Sequence, residues 1–247
     1  MNSYCHFGAT GGCTNACLVH TLNAGFHATA LARTPSKLYD MLHAQGITQD
    51  VIDAQLTIFK GNIADIHAIK DTLSNRDAGT TGTVTLASQI ISDAGGIPQM
   101  QMSLRRPALQ EIYKAQPSTA LHKPSTTVIS TTGVSNVKED VPVAFRILYH
   151  VFLADPHKDK KEMERLVTEN TGNGGAFRCS VIVRPSLLMG DQSVKGGQGW
   201  EKLKVGREDE PAVGYTVHRA DVGQWIFEQV VKTGGEARFG PRITLTN

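Results

Sequence analysis

Apolar runs of strand length alternate along this chain with longer stretches whose apolar residues recur at helical spacing. Residues 4–7 form the first run, and a stretch carrying Leu18, Val19 and Leu22 follows, closed by Gly25 as a left-handed helix stop. A second strand is predicted over 27–32, a third over 56–60, a helix over 66–73, and a strand partly masked by polar residues over 83–92. Further strands are predicted over 127–131 and 179–183. Such alternation predicts an α/β fold: a doubly wound parallel sheet covered by helices on both faces, in a single domain spanning 1–247.

Ligands of such sheets bind beyond the carboxyl ends of the strands, so the residues after each run carry the functional signal. After the first strand, Gly8 and Gly11 stand three apart where the chain turns into a helix. Glycine there lets the backbone take positive φ and approach a pyrophosphate, and the helix start offers N–H groups and partial positive charge. Thr10 adds a hydroxyl donor. The second strand delivers Arg33 about twenty residues past the glycines, where NAD-selective folds carry a carboxylate and NADP-selective ones a cation; Lys37 is close enough to assist. This order of features predicts an NADP(H) site in a Rossmann-like fold, against the alternative of a purely structural turn. The position of a third glycine is occupied by Thr14.

The other strand ends hold Asn62 and Ile63, then the small-residue loop Asp93-Ala94-Gly95-Gly96-Ile97-Pro98, then Ser130-Thr131-Thr132-Gly133, then Arg184-Pro185-Ser186. Asn62 suits an adenine contact or a turn, with Asp65 capping the next helix. The 93–98 loop suits close approach to the pyrophosphate or the nicotinamide ribose, or simple flexibility. Ser130 and Thr131 suit a nicotinamide amide or a substrate carbonyl, or strand-end capping.

Composition narrows the classes. Apolar residues make up 40% of the 247 and supply a core, and a net charge of +2 gives no general attraction to nucleic acid or membranes. No metal site is expected. With the first strand starting almost at Met1 and no apolar stretch of spanning length, a cytoplasmic protein is expected. Cys5, Cys13, Cys17 and Cys179 show no disulfide or metal spacing. Cys13 is either a small filler of the turn or, at a helix start, a reactive thiol.

Gly-Ala-Thr-Gly-Gly at 8–12, Leu-Ala-Arg-Thr-Pro-Ser-Lys-Leu at 31–38, Ile-Ser-Thr-Thr-Gly at 129–133, His-Lys-Asp-Lys-Lys-Glu-Met-Glu at 157–164, Val-Arg-Pro-Ser at 183–186 and His-Arg-Ala-Asp-Val-Gly at 218–223 together resemble the atypical short-chain dehydrogenase/reductases. Within them the chain is most similar to the NmrA-like and biliverdin/flavin reductase B-like branch, in a fungal flavour. The resemblance implies that Gly8, Thr10, Gly11, Gly12 and Cys13 line the pyrophosphate and that Arg33 and Lys37 hold the 2′-phosphate. It also implies that Asn62 and Ile63 flank adenine, that Ala94 and Gly95 lie over the cofactor, and that Arg184, Pro185 and Ser186 border the nicotinamide. The group includes reductases, isomerases and proteins that bind the dinucleotide to sense it.

For catalysis, the Tyr and Lys four apart that typical short-chain dehydrogenases use are missing, since none of Tyr4, Tyr39, Tyr113, Tyr149 and Tyr215 has a lysine at that spacing. Lys160 stands where relatives use a lysine near the cofactor ribose; its alternative is an exposed pair with Glu164, worth about 0.3–0.5 kcal/mol. Tyr149 and His157 are candidate proton donors. Substrate-side segments are expected over about 93–107, 133–160 and 186–215, with 189–209 a mobile loop or an ordinary surface excursion. Asp221 is expected to face the N-terminal end of the last helix. A small-molecule substrate is expected, with a monomer expected and a dimer open.

Overall fold

The computed structural model describes residues 3–74, 87–93, 123–143, 154–172, 175–235 and 240–247. Its strands are β1 (Tyr4–Phe7), β2 (Ala28–Ala32), β3 (Leu56–Lys60), β4 (Gln89–Ser92), β5 (Ser125–Ile129), β6 (Ser180–Pro185), β7 (Leu187–Met189), β8 (Lys204–Arg207), β9 (Thr216–His218) and β10 (Arg242–Thr246). Its α-helices are α1 (Gly12–Asn23), α2 (Pro35–Ala44), α3 (Gln49–Gln55), α4 (Ile66–Ser74), α5 (Ala154–Glu169) and α6 (Arg219–Ile226).

Local chemistry accounts for the boundaries. Gly25, at φ 78°, ends α1 by donating its N–H to Leu22 O at 2.9 Å. Pro35 opens α2, where its missing N–H costs nothing. The Asp65 carboxylate accepts from His67 N at 2.9 Å and Ala68 N at 3.3 Å and so caps α4, as the sequence suggested. His218 caps α6, its Nδ1 accepting from Ala220 N at 3.2 Å.

The described strands form an eight-stranded sheet in the order β3-β2-β1-β4-β5-β6-β10-β8, parallel except for the β10–β8 pair. β7 and β9 make a small parallel pair beside it. This is the expected Rossmann-like doubly wound sheet, with the chain reversing direction across the sheet between β1 and β4. One face packs on Cys17, Leu18 and Leu22 of α1 with Trp225 and Ile226 of α6. The opposite face packs on Ala68, Ile69 and Leu73 of α4 with Met163 and Val167 of α5. Burying a side chain such as Phe7, Leu18 or Ile91 stabilises by about 1.5–3 kcal/mol each.

Thr14, at the position of the missing third glycine, is fully buried. Close approach at this helix comes instead from Gly223 of α6, where a Cβ would lie 2.5 Å from Cys13 O and 2.6 Å from Ala16 Cβ. Several strand limits shift from expectation. β5 begins and ends two residues before the predicted 127–131, β4 covers only the end of the predicted 83–92 with 83–86 outside the described residues, and β6 runs on through Arg184 and Pro185.

His6, in the middle of β1, is fully buried and neither ring nitrogen has a hydrogen-bond partner among the described residues. Burial pushes its pKa down from 6.5 to about 3. The unfolded chain therefore takes up a proton near pH 6.5 that the native state refuses, and stability is lost as the pH falls from that point toward 3. In urea titrations, wild type is expected to lose stability relative to His6→Leu by up to about 1.4 kcal/mol per pH unit below pH 6. A difference that stays constant from pH 7 to pH 4 would contradict a neutral His6.

Candidate dinucleotide site

The strand-to-helix turn is built on Gly8, whose φ of 76° is the left-handed conformation that glycine tolerates best. Gly8 O accepts from Gly11 N at 2.7 Å, closing the turn. A Cβ on Gly11 would sit 3.0 Å from Gly8 O and 3.5 Å from an Asp93 carboxylate oxygen, so a side chain there would crowd the turn. Asn15, buried in α1, donates to Ala9 O at 2.8 Å and accepts from Gln45 Nε2 at 2.6 Å; Gln45 in turn accepts from Val194 N at 3.1 Å. These bonds fix the turn to α1, to the end of α2 and to the segment after β7.

Beside the turn lies a cavity of about 440 Å³ lined by Gly8, Thr10 and Gly11, by Arg33 and Lys37, by Asn62 and Ile63, and by Asp93. Its walls are thus the carboxyl ends of β1 to β4, at the place where strand order reverses. Arg33 and Lys37 are exposed on its rim, and Asp93 is the one acid among the described residues that line it. The glycine cradle, the free helix start and two cations suit a phosphorylated ligand.

Comparison with known proteins agrees with this geometry. Residues 8–233 match the model of a family described as NAD(P)H-binding. The chain belongs to the NAD(P)H-binding family. Among fungal relatives it is 40% identical to the reductase pytE of Aspergillus terreus over 258 residues, covering 97% of this chain and 96% of that one. It is 41% identical to the oxidase pynE of Aspergillus niger over 271 residues, with the same coverage of 97% and 96%. Among solved structures it is similar to ChuY, an anaerobillin reductase of Escherichia coli O157:H7, at a TM-score of 0.61 and 18% identity over 99% of this chain and 96% of that one. The oxidoreductase ylbE of Lactococcus lactis matches at 0.65 and 14% identity, over 99% and 90% of the two chains. These two likenesses are of fold.

A nicotinamide dinucleotide, the ligand this family implies, fits the cradle that Gly8 and Gly11 leave open. Gly12 and Cys13 stand apart from the lining residues. The Arg219 side chain lies across Gly12, where a Cβ would meet its Cδ at 2.2 Å, and Arg219 also donates to Gly190 O at 2.6 Å. Cys13 is fully buried, and burial followed by the Asp93 charge pushes its thiol well above the usual range. Cys13 is therefore the small filler of the turn and not a reactive thiol. Asn62 forms a local turn, its side-chain oxygen accepting from Ala64 N at 3.2 Å, while still lining the cavity. Ala94, Gly95 and Tyr149 lie outside the described residues.

Lys160 is not an exposed partner of Glu164. Its Nζ donates to Ile129 O at 2.7 Å, which places the ammonium at the carboxyl end of β5, two residues before half-buried Thr131 in the chain. Burial lowers its pKa, against the raising influence of Asp93, Cys13 and Glu164. Asp93 is raised to about 6 by burial, with Lys160 and Arg219 opposing. The sequence alone does not single out Asp93 or Arg219, although Asp93 directly follows a strand and Arg219 lies in the 218–223 motif.

Further along β5 and β6 the residues at the strand ends bond to one another. Ser130 donates to Glu164 at 2.5 Å and is buried, so its hydroxyl is committed to the protein interior. Arg184 is 3% exposed and forms a fork with Glu164, at 2.6 and 2.9 Å, and a third bond to Glu208 at 3.1 Å. Burial opposes its charge, but the hydrogen bonds and charge of Glu164, then Glu208, leave its pKa raised. Arg242 adds a contact to Glu208 at 3.2 Å. Pro185 accepts from Thr132 N at 3.1 Å, and Ser186 donates to Thr246 Oγ1 at 2.9 Å. Arg184, Pro185 and Ser186 thus join strands and helix α5 and are not among the residues lining the cavity beside the glycine turn, while Arg184 with Glu164, Glu208 and Arg242 lines a separate one of about 430 Å³. His157 lines a different cavity of about 230 Å³ with Asp140 and Lys161.

The 189–209 segment is fastened to α6. Asp221 accepts from Gln198 N at 3.1 Å and Gly199 N at 2.9 Å, and Gln224 accepts from Trp200 N at 3.4 Å. Asp221 therefore holds this segment in place, and part of it becomes the edge strand β8.

Removing Glu164 would leave the buried Arg184 charged with one of its three carboxylate bonds, the one to Glu208. Glu164→Ala is expected to cost about 3–5 kcal/mol in urea unfolding at neutral pH, while Arg33→Ala on the exposed rim stays within about 0.5 kcal/mol. A Glu164→Ala cost near that of Arg33→Ala would contradict the buried network.

Proposed function

We propose that this chain is an NADPH-dependent reductase that delivers hydride to a small conjugated, aromatic or flavin-like acceptor. The observation that carries the cofactor choice is the pair Arg33 and Lys37 on the rim beyond β2, where the one acid among the described lining residues, Asp93, follows β4 and not β2. A guanidinium and an ammonium there suit a 2′-phosphate, and an NAD-selective site places an acid at this point. The names of the fungal relatives, a reductase and an oxidase, favour redox chemistry.

The bound dinucleotide supplies a hydride. The protein's own contribution is positional and electrostatic. The start of α1 and the Gly8–Gly11 turn hold the pyrophosphate, Asn62 and Ile63 flank the base, and Lys160 with Thr131 stands at the strand ends toward the reacting group. The residue four before Lys160 is Pro156, so no phenol accompanies this lysine in the usual spacing. A conjugated acceptor suits that site, because a delocalised anion can take its proton from solvent without a strong general acid.

The test is a fluorescence titration of the purified protein with NADPH and NADH, followed by flavins, quinones and enones while reduced nicotinamide is monitored. Selective NADPH binding and its oxidation by an acceptor are expected; binding without oxidation by any of them would favour a sensor or a non-redox enzyme. Arg33→Asp is expected to weaken NADPH by at least about tenfold, since it removes a charge-assisted contact and adds repulsion, and to leave NADH nearly unchanged. Equal losses for the two would move the 2′-phosphate elsewhere.

A further inference from the structure

The anion-binding end of α1 already faces an acid of the chain itself. An Asp93 carboxylate oxygen lies 3.5 Å from the place a Cβ on Gly11 would take, and Asp93 lines the same cavity as Gly8 and Thr10. Its backbone N–H donates to Phe7 O at 3.1 Å, anchoring the residue to the end of β1. A dinucleotide pyrophosphate seated on this turn would set its charge against that carboxylate, and two like charges at such range cannot both persist without cost.

Resting on the dinucleotide reading, we propose that Asp93 is a pyrophosphate-binding residue in its neutral form, a carboxylic acid that donates its proton as a hydrogen bond to a phosphate oxygen. Binding then takes up one proton from solvent onto the Asp93 carboxylate, and release returns it. The surroundings favour this form. Burial is the largest influence on Asp93 and already holds it at about 6 in the free protein, while Lys160 of α5 and Arg219 of α6 pull the other way. The Cys13 thiol of α1, pushed well above its usual range by burial and then by the Asp93 charge, stays neutral and adds no charge of its own to this balance. A phosphate adds negative charge to this balance and raises Asp93 further, so the affinity falls as pH climbs above 6, by up to tenfold per unit.

The experiment is calorimetric titration of wild type and Asp93→Asn with NADPH, in buffers of different ionisation enthalpy from about pH 6 to pH 9, with NADH in parallel. NADH lacks the 2′-phosphate, whose own protonation would otherwise mix with that of Asp93. Wild type is expected to take up close to one proton more per ligand than Asp93→Asn near pH 8, with both ligands, and the variant to bind as tightly as wild type or more tightly there. Equal proton exchange in the two proteins would overturn the proposal. So would weaker binding by a folded Asp93→Asn at every pH, which would make the ionised carboxylate an acceptor for ribose hydroxyls. If wild type binds neither dinucleotide, the dinucleotide reading fails first and the proposal falls with it. A melting curve for Asp93→Asn establishes that the variant is folded.

Discussion

The bond from Gly11 N to Gly8 O, closing a turn that begins at a positive φ, is the constraint on which the site depends. It turns the chain within a few residues from a buried strand into α1, so the open end of that helix looks into the cavity. A side chain at Gly11 would crowd Gly8 O and Asp93. Asn15 extends the constraint by tying Ala9 to Gln45, and through Gln45 to Val194. Gly223 completes it, because only a residue without Cβ lets α6 lie against Cys13 and Ala16.

Charge is distributed over the strand ends in two distinct ways. Toward β2 the cations Arg33 and Lys37 are exposed, available to a ligand and worth little to the fold. Toward β6, Arg184, Glu164, Glu208 and Ser130 form a buried network whose groups satisfy one another. Lys160 and Asp93 stand between these regions, at the ends of β5 and β4, partly removed from water and close enough to influence each other's protonation. That intermediate setting suits groups that change their proton content in function.

The glycine turn, Arg33, Lys37 and Asn62 were legible because each follows a strand whose apolar run is continuous, and position after such a strand decides placement. Strand ends further along were harder to read. Residues 125–129 begin with polar Ser125, Thr126 and Thr127, all buried in the sheet, so the run appeared to start later. Arg184 looked like a residue beyond its strand because charge is rare inside a parallel sheet; only three-dimensional placement shows that Glu164 and Glu208 neutralise it there. β10, where Ile243 and Leu245 alternate with Thr244 and Thr246, carried a period-two signal that its polar partners obscured. Among the described residues, no helix is long and apolar enough to cross a membrane.

A crystal structure with NADP⁺ bound would show whether a dinucleotide lies along the carboxyl ends of β1 to β4. The pyrophosphate is expected on the Gly8–Gly11 turn within hydrogen-bond distance of Asp93, and the 2′-phosphate between Arg33 and Lys37. A dinucleotide lodged instead beside His157 and Asp140, or a 2′-phosphate facing away from both cations, would contradict that placement.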